Sequence, residues 1–312
     1  MKIGIVGSGS VGATIAYSIA STGLASRIVL VDMIASKAEG EVLDLGHCAA
    51  FIPPVRLSHG DIDACKGMDV VVVTAGVKRR SGEQRTDLIQ RNLSVCKDIA
   101  SPLAAANPDA IFILVSNPVD LLTLYWLKHS GVPSGRIIGS GTLLDSSRFR
   151  YLLSQYFSID PRNVHAYIIG EHGVGSVPVW SHAAIGTVSV DDFASQVGLD
   201  FSDTRKQKIF EEVLSAGKHV IERKGATFYG IAQSVLRILT VISRDEGSLL
   251  TVSTEIDGFG GERDVALSVP VVVGRGGIRQ VVKPQLNDDE LSAFTTAAKH
   301  LKALAEEVGL LS

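Results

Sequence analysis

The segment Gly7-Ser8-Gly9-Ser10-Val11-Gly12 sets the architecture of this 312-residue chain because of what stands on either side of it. It follows Lys2–Val6, a short apolar run rich in β-branched residues, which is typical of a buried strand. It opens Ser10–Thr22, a stretch long enough for a helix. Its three glycines allow a tight turn, the close approach of a bound group to the backbone, and close packing of the helix on the strand.

Short apolar runs alternate with helical stretches through the first half of the chain. The predicted strands are Lys2–Val6, Arg27–Asp32, Asp69–Thr74, Ile111–Val115 and Arg136–Ile138. The predicted helices between them are Ser10–Thr22, Ile34–Leu45, Asn92–Ala106 and Val119–Ser130. This alternation predicts an α/β fold, with a Rossmann-type, doubly wound parallel sheet over residues 1–143.

The pattern loosens after residue 143, which predicts a mixed α+β domain over residues 144–312. The predicted strands there are His165–Ile169, Gly186–Val190, Leu249–Ile256 and Ala266–Val273, the last two as a hairpin. The predicted helices are Asp145–Tyr156, Arg205–Lys224, Ser234–Ser243 and a last helix with apolar residues from Leu291 to Val308 at helical spacing. Asn287 or Asp288 is expected to cap that last helix.

Composition excludes several classes of protein. Thirty basic residues against 33 acidic ones leave a formal charge of −3, which argues against nucleic-acid and membrane-surface partners. Three cysteines (Cys48, Cys65 and Cys96) without a CxxC spacing form neither a disulfide framework nor a zinc site, and we expect no metal. Glycine, serine and histidine interrupt the uncharged stretches, so we expect no membrane span and a cytoplasmic protein.

The glycine-rich segment has the context that dinucleotide binding requires. Asp32 ends the second predicted strand, twenty residues after Gly12, where a carboxylate can accept hydrogen bonds from a ribose diol and would repel a 2′-phosphate. NAD is therefore the predicted cofactor, and a glycine-rich turn without a ligand is the alternative. The predicted cofactor-binding residues lie in this segment and at the ends of parallel strands: Gly7, Gly9, Ser10, Val11, Gly12, Asp32, Thr74, Ala75, Gly76 and Asn117.

A second group of motifs offers the side chains that reduction of a keto acid needs. Asp145 and Arg148 lie one helical turn apart, and His172 lies between glycines just after a predicted strand. Histidine can donate a proton near neutral pH, an acid can fix its tautomer, and arginine can bind a carboxylate through two hydrogen bonds. Taken singly, such a histidine is more often structural, and such an Asp–Arg pair is more often a helix salt bridge.

These separated motifs, in this order, resemble those of the L-lactate/malate dehydrogenases over essentially the whole chain. The resemblance implies that His172 exchanges the proton, that Asp145 orients it, and that Arg148 binds the substrate carboxylate. It implies that Arg85, on a loop that closes over the substrate, polarises the carbonyl, and that Asn117 binds the substrate near the nicotinamide. It also implies a homo-oligomer, either a dimer or a homotetramer, that acts on a small anionic 2-keto or 2-hydroxy acid.

The choice between hydroxy acids depends on one loop residue. Malate enzymes of this family have arginine where lactate enzymes have glutamine, and Arg79 stands at that place. A second carboxylate on oxaloacetate would gain roughly 1.5–3 kcal/mol from such a charge-assisted hydrogen bond, so malate/oxaloacetate is the preferred prediction. The rest of the chain resembles the lactate branch, including Thr227 near the expected substrate tail. The alternative is therefore an L-lactate dehydrogenase that reduces pyruvate.

Two further expectations follow from the resemblance, and one alternative to it remains. Arg150 and His165 match positions that bind fructose 1,6-bisphosphate between subunits of bacterial lactate enzymes, which implies an allosteric site there. Val174-Gly175 stands where the family usually has an acidic residue, so the backbone beside His172 is an open question. A non-catalytic NAD-sensing protein is a remote alternative, since it would not need His172, Arg148 and Arg85 together.

Overall fold

The first half of the chain forms a parallel sheet in a computed structural model, which describes residues 1–77, 82 and 84–311 without the side chain of Arg85. Its strands are β1 (Lys2–Val6), β2 (Arg27–Val31), β3 (Arg56–Gly60), β4 (Val70–Val73), β5 (Ile111–Leu114) and β6 (Ile137–Gly139). They lie in the order β3-β2-β1-β4-β5-β6, each parallel to its neighbour. The order reverses between β1 and β4, and open α/β sheets bind ligands at such a point. The predicted α/β class is confirmed.

Four helices connect these strands: α1 (Ser10–Thr22), α2 (Ala35–His47), α3 (Arg85–Ala106) and α4 (Val119–His129). All four residues of β4 are buried valines, as expected for a strand covered on both faces. Only β3 was not predicted from the sequence. It lies at the edge of the sheet and none of its residues is fully buried, so it lacks the apolar run that marks the other strands.

The second half is built from short strands and longer helices. Its elements are α5 (Leu143–Phe157), β7 (Val164–His165), β8 (Ile168–Gly170), β9 (Ser176–Pro178), β10 (Ala184–Ile185), β11 (Val188–Ser189), α6 (Val190–Val197), α7 (Asp203–Lys224), α8 (Tyr229–Arg244), β12 (Ser248–Glu255), β13 (Ala266–Gly274), β14 (Gly277–Val281) and α9 (Asp288–Glu307). The hairpin of β12 and β13 is present. Asn287 caps α9, and its side chain accepts the N–H of Glu290.

Two predicted strands of the second half differ from the structure. The run His165–Ile169 is divided between two sheets, because β7 pairs with β10 whereas β8 pairs with β9 and β13. The run Gly186–Val190 contains only the two-residue β11, since Gly186 turns at a φ of +60° and Val190 already begins α6. Short strands of this kind leave too few residues for an alternating pattern to be read.

The parallel sheet continues into the second half of the chain. β12 lies antiparallel beside β6, and the order β6-β12-β13-β8-β9 extends the sheet. The seam is tight: a Cβ on Gly139 would lie 2.3 Å from Thr123 Oγ1 and 2.7 Å from Ser253 Cβ. This extension brings the loop that follows β8 to the crevice beyond β4, β5 and β6. The division of the chain at residue 143 stays a prediction.

The cysteines and the helices bear on two other expectations. Cys65 and Cys96 are buried free thiols, and burial raises the pKa of Cys65 to about 12 and that of Cys96 to about 11. Both thiols are therefore protonated and unreactive near neutral pH. Within the described ranges, no helix combines the length and the apolar character that crossing a bilayer requires.

Candidate active site

The turn between β1 and α1 has the shape of a phosphate-binding loop. Gly7 has a φ of +107°, and a Cβ on Gly12 would lie 1.9 Å from the carbonyl oxygen of Gly7, so α1 packs directly on the strand end. Gly9 is the N-cap of α1, and among the described residues no side chain caps the first turn. Uncapped N–H groups and the positive end of the helix favour an anionic group there.

Asp32 lies at the end of β2 beside this turn. Its Oδ2 accepts the N–H of Ser8 at 2.7 Å, and its Oδ1 accepts the N–H of Ile34 at 3.0 Å. Each carboxylate oxygen has a second lone pair, so both can still accept a hydroxyl. The side chain is 11% exposed, and Lys37 Nζ lies 3.9 Å away. The glycine turn and this acid together fit the pyrophosphate and the ribose diol of a dinucleotide.

The ends of β4 and β5 form the adjoining wall of the crevice. Thr74 Oγ1 donates to the carbonyl of Gly7 at 2.7 Å, and Ser116 Oγ donates to the carbonyl of Ala75 at 2.6 Å. Asn92 on α3 joins this wall to the next loop. Its Oδ1 accepts the N–H of Val77 at 2.7 Å, and its Nδ2 donates to the carbonyl of Asn117 at 3.0 Å. The predicted cofactor residues therefore surround one crevice.

His172, Asp145 and Arg148 meet beyond this wall. Asp145 Oδ2 lies 2.5 Å from His172 Nδ1, and Asp145 Oδ1 accepts from Arg148 Nη1 at 2.9 Å. Asp145 is nearly buried, with 7% of its side chain exposed, whereas 26% of His172 is exposed. The acid thus binds a histidine and an arginine at once, and it leaves Nε2 of the histidine facing away from the bond.

The charges of this cluster oppose the effect of burial on each group. Burial alone would raise the pKa of Asp145, but the charges and hydrogen bonds of His172 and Arg148 hold that pKa below its ordinary value. Burial alone would lower the pKa of His172, but the charge and hydrogen bond of Asp145 and the charge of Asp120 raise it, against a smaller effect of Arg148. The ionised acid therefore favours a protonated imidazole.

The loop that carries His172 is closed by its own backbone. The N–H of Glu171 donates to the carbonyl of Gly175 at 3.1 Å, and Ser176 Oγ donates to the carbonyl of Glu171 at 2.9 Å. A Cβ on Gly175 would lie 2.9 Å from the Cβ of Ala297 on α9, so this position leaves no room for a side chain. Val174 is 76% exposed. The departure Val174-Gly175 thus belongs to a compact loop packed on α9.

A cavity of about 480 Å³ joins the two parts of the site. Val11 of the glycine-rich turn lines it together with Asn117, His172, Asp145 and Arg148. The other lining residues, five of them on α7, are Val115, Ser140, Gly141, Leu144, Gly173, Ser176, Leu214, Gly217, Lys218, Ile221, Glu222, Thr227 and Ile231. The predicted catalytic residues and the predicted cofactor-binding turn therefore line the same cavity. Thr227 also lies on its wall.

Three predictions lie elsewhere or outside the described residues. Arg79 and the side chain of Arg85 fall outside them, although α3 begins at Arg85. Arg150 does not line the cavity; its Nη2 donates to the carbonyl of Pro161 at 3.1 Å. His165 is exposed on β7. Within the part of the chain that the structure describes, no three His, Cys, Asp or Glu side chains are grouped to hold a metal ion.

Sequence reasoning missed two polar residues of the site. Asn92 was assigned only to a helix, and its role in joining two loops follows from long-range contacts that no local pattern contains. Asp120 Oδ2 accepts the backbone N–H of His172 at 2.8 Å, across 52 residues of sequence. One signal was available for Asp120, because it is an acid in the first turn of a helix that follows a buried strand.

Comparisons with known proteins identify the class to which this fold and site belong. The family model described as the NAD binding domain of lactate/malate dehydrogenase matches residues 1–139, and the model of the alpha/beta C-terminal domain of the same family matches residues 142–309. The chain belongs to the lactate/malate dehydrogenase family. It is an NAD-dependent 2-hydroxy-acid dehydrogenase, which confirms the resemblance and the predicted cofactor.

Relatives and solved structures match over nearly the whole chain. An L-lactate dehydrogenase of Thermoanaerobacter sp. (strain X514) is 46% identical over 309 residues, which cover 99% of each chain. L-lactate dehydrogenase 2 of Bacillus cereus (strain ATCC 10987 / NRS 248) is 45% identical over 96% of each. Among crystal structures, a lactate dehydrogenase from a Medee basin deep-sea metagenome library has a TM-score of 0.95 at 37% identity, covering 99% of this chain and 98% of its own. The minor L-lactate dehydrogenase of Enterococcus mundtii has a TM-score of 0.94 at 36% identity, with 98% of each covered.

Proposed function

We propose that this enzyme catalyses the reversible reduction of pyruvate to L-lactate, with His172 as the proton donor. The observation that carries the proposal is the single cavity in which His172, Asp145 and Arg148 face the residue Val11 of the cofactor turn. A structural salt bridge would need neither the histidine nor the cavity. The names of the relatives, L-lactate dehydrogenases at 43–46% identity, support pyruvate as the substrate.

His172 holds the proton that the carbonyl oxygen receives. Its Nδ1 is bound to Asp145 at 2.5 Å, so the transferable proton is carried on Nε2. Because the acid favours the imidazolium, His172 enters the reduction protonated and becomes neutral as it gives up the proton. In the reverse direction the neutral histidine accepts the proton from the hydroxyl. Asp145 keeps the ring in one orientation through both steps.

Arg148 is suited to bind the carboxylate of the substrate. One nitrogen, Nη1, is occupied by Asp145 at 2.9 Å. The other, Nη2, lies beside Gly217 of α7, where a Cβ would make an ordinary 3.6 Å contact with it, and both residues line the cavity. Binding the carboxylate here and the carbonyl near His172 would fix the keto acid at two points, which reduces the entropic part of the barrier. Asn117, on the same cavity, would add a hydrogen bond.

The residues of the first half would hold the cofactor, which supplies the hydride when it is bound. The N–H groups at the start of α1 would bind its phosphates, and Asp32 would accept the hydroxyls of its ribose. Val11, which follows Ser10 at the start of α1, lines the cavity on this side. Arg85 would polarise the carbonyl, as the family resemblance implies.

The substrate preference depends on two observations that point in different directions. The sequence prediction favoured oxaloacetate because of the charge of Arg79, and the comparisons do not support that preference. All of the relatives described above carry the name of the lactate enzyme, and Thr227 on the cavity wall is the lactate-type residue of the resemblance. Oxaloacetate therefore stands as the second candidate, favoured by Arg79 alone.

The test is the oxidation of NADH with pyruvate and with oxaloacetate as separate substrates. We expect a higher kcat/KM with pyruvate, and a higher value with oxaloacetate would reverse the assignment. Arg79→Gln should then lower kcat/KM for oxaloacetate by about ten- to a hundredfold, the worth of one charge-assisted hydrogen bond. Arg80→Gln is the matched control, since it removes the same charge from the neighbouring residue.

The remaining family-based expectations are tested by two further measurements. The wild type should turn over substrate, and His172→Asn should lose turnover but still bind NADH. This result would exclude the non-catalytic NAD-sensing alternative. For the proposed effector site, fructose 1,6-bisphosphate should lower KM for pyruvate in the wild type but not in Arg150→Gln/His165→Gln. Light scattering in both samples would give the number of subunits, for which a dimer or tetramer is proposed.

A further inference from the structure

A second buried acid contacts the histidine loop through its backbone. Asp120 belongs to the first turn of α4 and is only 2% exposed. Its Oδ2 accepts the backbone N–H of His172 at 2.8 Å. One carboxylate therefore holds the peptide of His172 while the other holds its ring. The reaction outlined above uses Asp145 but gives no part to Asp120.

The surroundings of Asp120 belong to the seam between the two halves of the sheet. Ser253 of β12 lies beside it, and neither Ser253 Oγ nor Asp120 Oδ1 has a hydrogen-bond partner among the described residues. Ser253 packs on Gly139 of β6, where no side chain fits. The acid thus lies on α4, beside the seam between β6 and β12 in the core, whereas the histidine is on a loop. A hydrogen bond from a core residue of this kind holds the backbone of the loop in a fixed position relative to the core.

Charge is the feature that a merely structural role does not explain. An asparagine could accept the same N–H without the cost of burying a charge. Burial raises the pKa of Asp120 to about 6, although the N–H and the charge of His172 act in the opposite direction, and the charge of Glu171 adds to the rise. Near neutral pH most of this carboxyl is therefore ionised, and it is hydrogen-bonded to the backbone N–H of the histidine.

The charged groups around the imidazole act in opposite directions. Asp145 on α5 and Asp120 on α4 favour its protonated form, and Arg148 on α5 disfavours it. Glu171, next to His172 in the chain, acts on Asp120. We propose that Asp120 is a positioning residue for His172: its carboxylate anchors the peptide of the histidine, and its negative charge favours the protonated imidazole. This inference rests on the role of His172 in the proposed function.

Two substitutions separate the anchor from the charge. Asp120→Asn keeps an oxygen that can accept the N–H and removes the charge, whereas Asp120→Ala removes both. Glu290→Gln is the matched control, because Glu290 is also a buried carboxylate that accepts a backbone N–H, that of Ser181 at 2.9 Å, away from the groups around His172. The titration of His172 would be followed without cofactor, from the carbethoxylation of its peptide at a series of pH values measured by mass spectrometry.

In Asp120→Asn the midpoint of carbethoxylation should move to lower pH, because only the neutral ring reacts. The pH at which pyruvate reduction declines should fall with it, while KM for pyruvate stays within about twofold. In Asp120→Ala, kcat/KM should fall by about ten- to a hundredfold as the histidine loses its anchor. Glu290→Gln should match the wild type in the midpoint and in the pH profile.

An unchanged midpoint in folded Asp120→Asn would overturn the proposal, and so would an Asp120→Ala enzyme within twofold of the wild type. If Asp120→Ala does not fold, the midpoint of Asp120→Asn decides alone. Failure of the proposed function would look different, since it would be a wild-type enzyme without turnover of either keto acid. The midpoint does not depend on turnover.

Discussion

Replacing Asp145 by asparagine removes a charge from the middle of the site and nearly preserves the shape of the side chain. In the wild type, one oxygen of Asp145 faces His172 Nδ1 and the other accepts from Arg148 Nη1. The guanidinium is always a donor, so the amide oxygen must face Arg148 and the amide NH₂ must face the histidine. Nδ1 then has to act as an acceptor. The variant therefore favours the neutral ring and disfavours the imidazolium.

The size of the effect follows from the charges that lie closest. Two unit charges about 4 Å apart interact by about 4 kcal/mol at an effective dielectric constant of about 20. Each 1.4 kcal/mol, roughly, is a factor of ten in rate, so losing this interaction in the protonated state corresponds to a fall of about a thousandfold in pyruvate reduction. This value lies inside the range of about 10²–10⁴ for a positioned general acid.

The assay is the steady-state oxidation of NADH by pyruvate between pH 5 and pH 9, roughly the range in which histidines titrate. We expect a large fall in kcat and a smaller change in KM, since Arg148 is retained. The solvent isotope effect should increase, because proton transfer becomes slower than the other steps. A kcat within about fivefold of the wild type, with an unchanged pH profile, would refute the assignment of Asp145 as the partner of the proton donor.

Four further predictions concern binding, stability and pH. Arg148→Lys should raise KM for pyruvate by about ten- to a hundredfold, because a point charge replaces a two-pronged donor; steady-state kinetics measures it, and an unchanged KM would contradict carboxylate binding. Gly12→Ala should abolish NADH binding in a fluorescence titration, since the new methyl would meet the carbonyl of Gly7 at 1.9 Å. Gly40→Ala, in α2 where a Cβ meets no described atom within 4 Å, should raise the free energy of unfolding by about 0.5–1 kcal/mol in urea melts and leave kcat unchanged. Because His172 has a raised pKa, the rate of pyruvate reduction should be maximal below that pKa and decline above it, while the rate of lactate oxidation rises over the same range. Both rates are measured as a function of pH, and rates that change in the same direction would contradict the role of His172.

The fold was predictable where local pattern and burial agree. Apart from the exposed Lys2 that begins β1, the runs of β1 and β4 are apolar because both faces of those strands are covered. Helix α1 begins and ends at the predicted residues. Edge strand β3 has no such pattern. The two-residue strands β7, β10 and β11 are defined by pairing with distant residues and not by their own sequence.

The catalytic side chains of the site were predictable from the sequence, but the polar residues that hold its loops together were not. Asp145, Arg148 and His172 were identified by residue type and order, and they meet within hydrogen-bond distance. Asn92 and Asp120 bind backbone N–H groups 15 and 52 residues away. A backbone N–H can belong to almost any type of residue, so the sequence does not mark the partner. Such contacts need the folded chain to be seen.

The seam at Gly139 has a consequence for recombination of this enzyme with its relatives. Gly139 stands against Ser253, and a Cβ on Gly141 would lie 2.5 Å from the backbone nitrogen of Ser253 and 2.4 Å from Ser268 Oγ. The two halves of the chain thus meet backbone to backbone, through residues more than a hundred positions apart. A chimaera that takes its cofactor half from one enzyme and its substrate half from another will assemble only if both parents keep small residues on the two sides of this joint. Exchange of whole halves therefore requires compatible residues at these four positions, as well as where α1 packs on α8 and where α4 packs on β12 and β13.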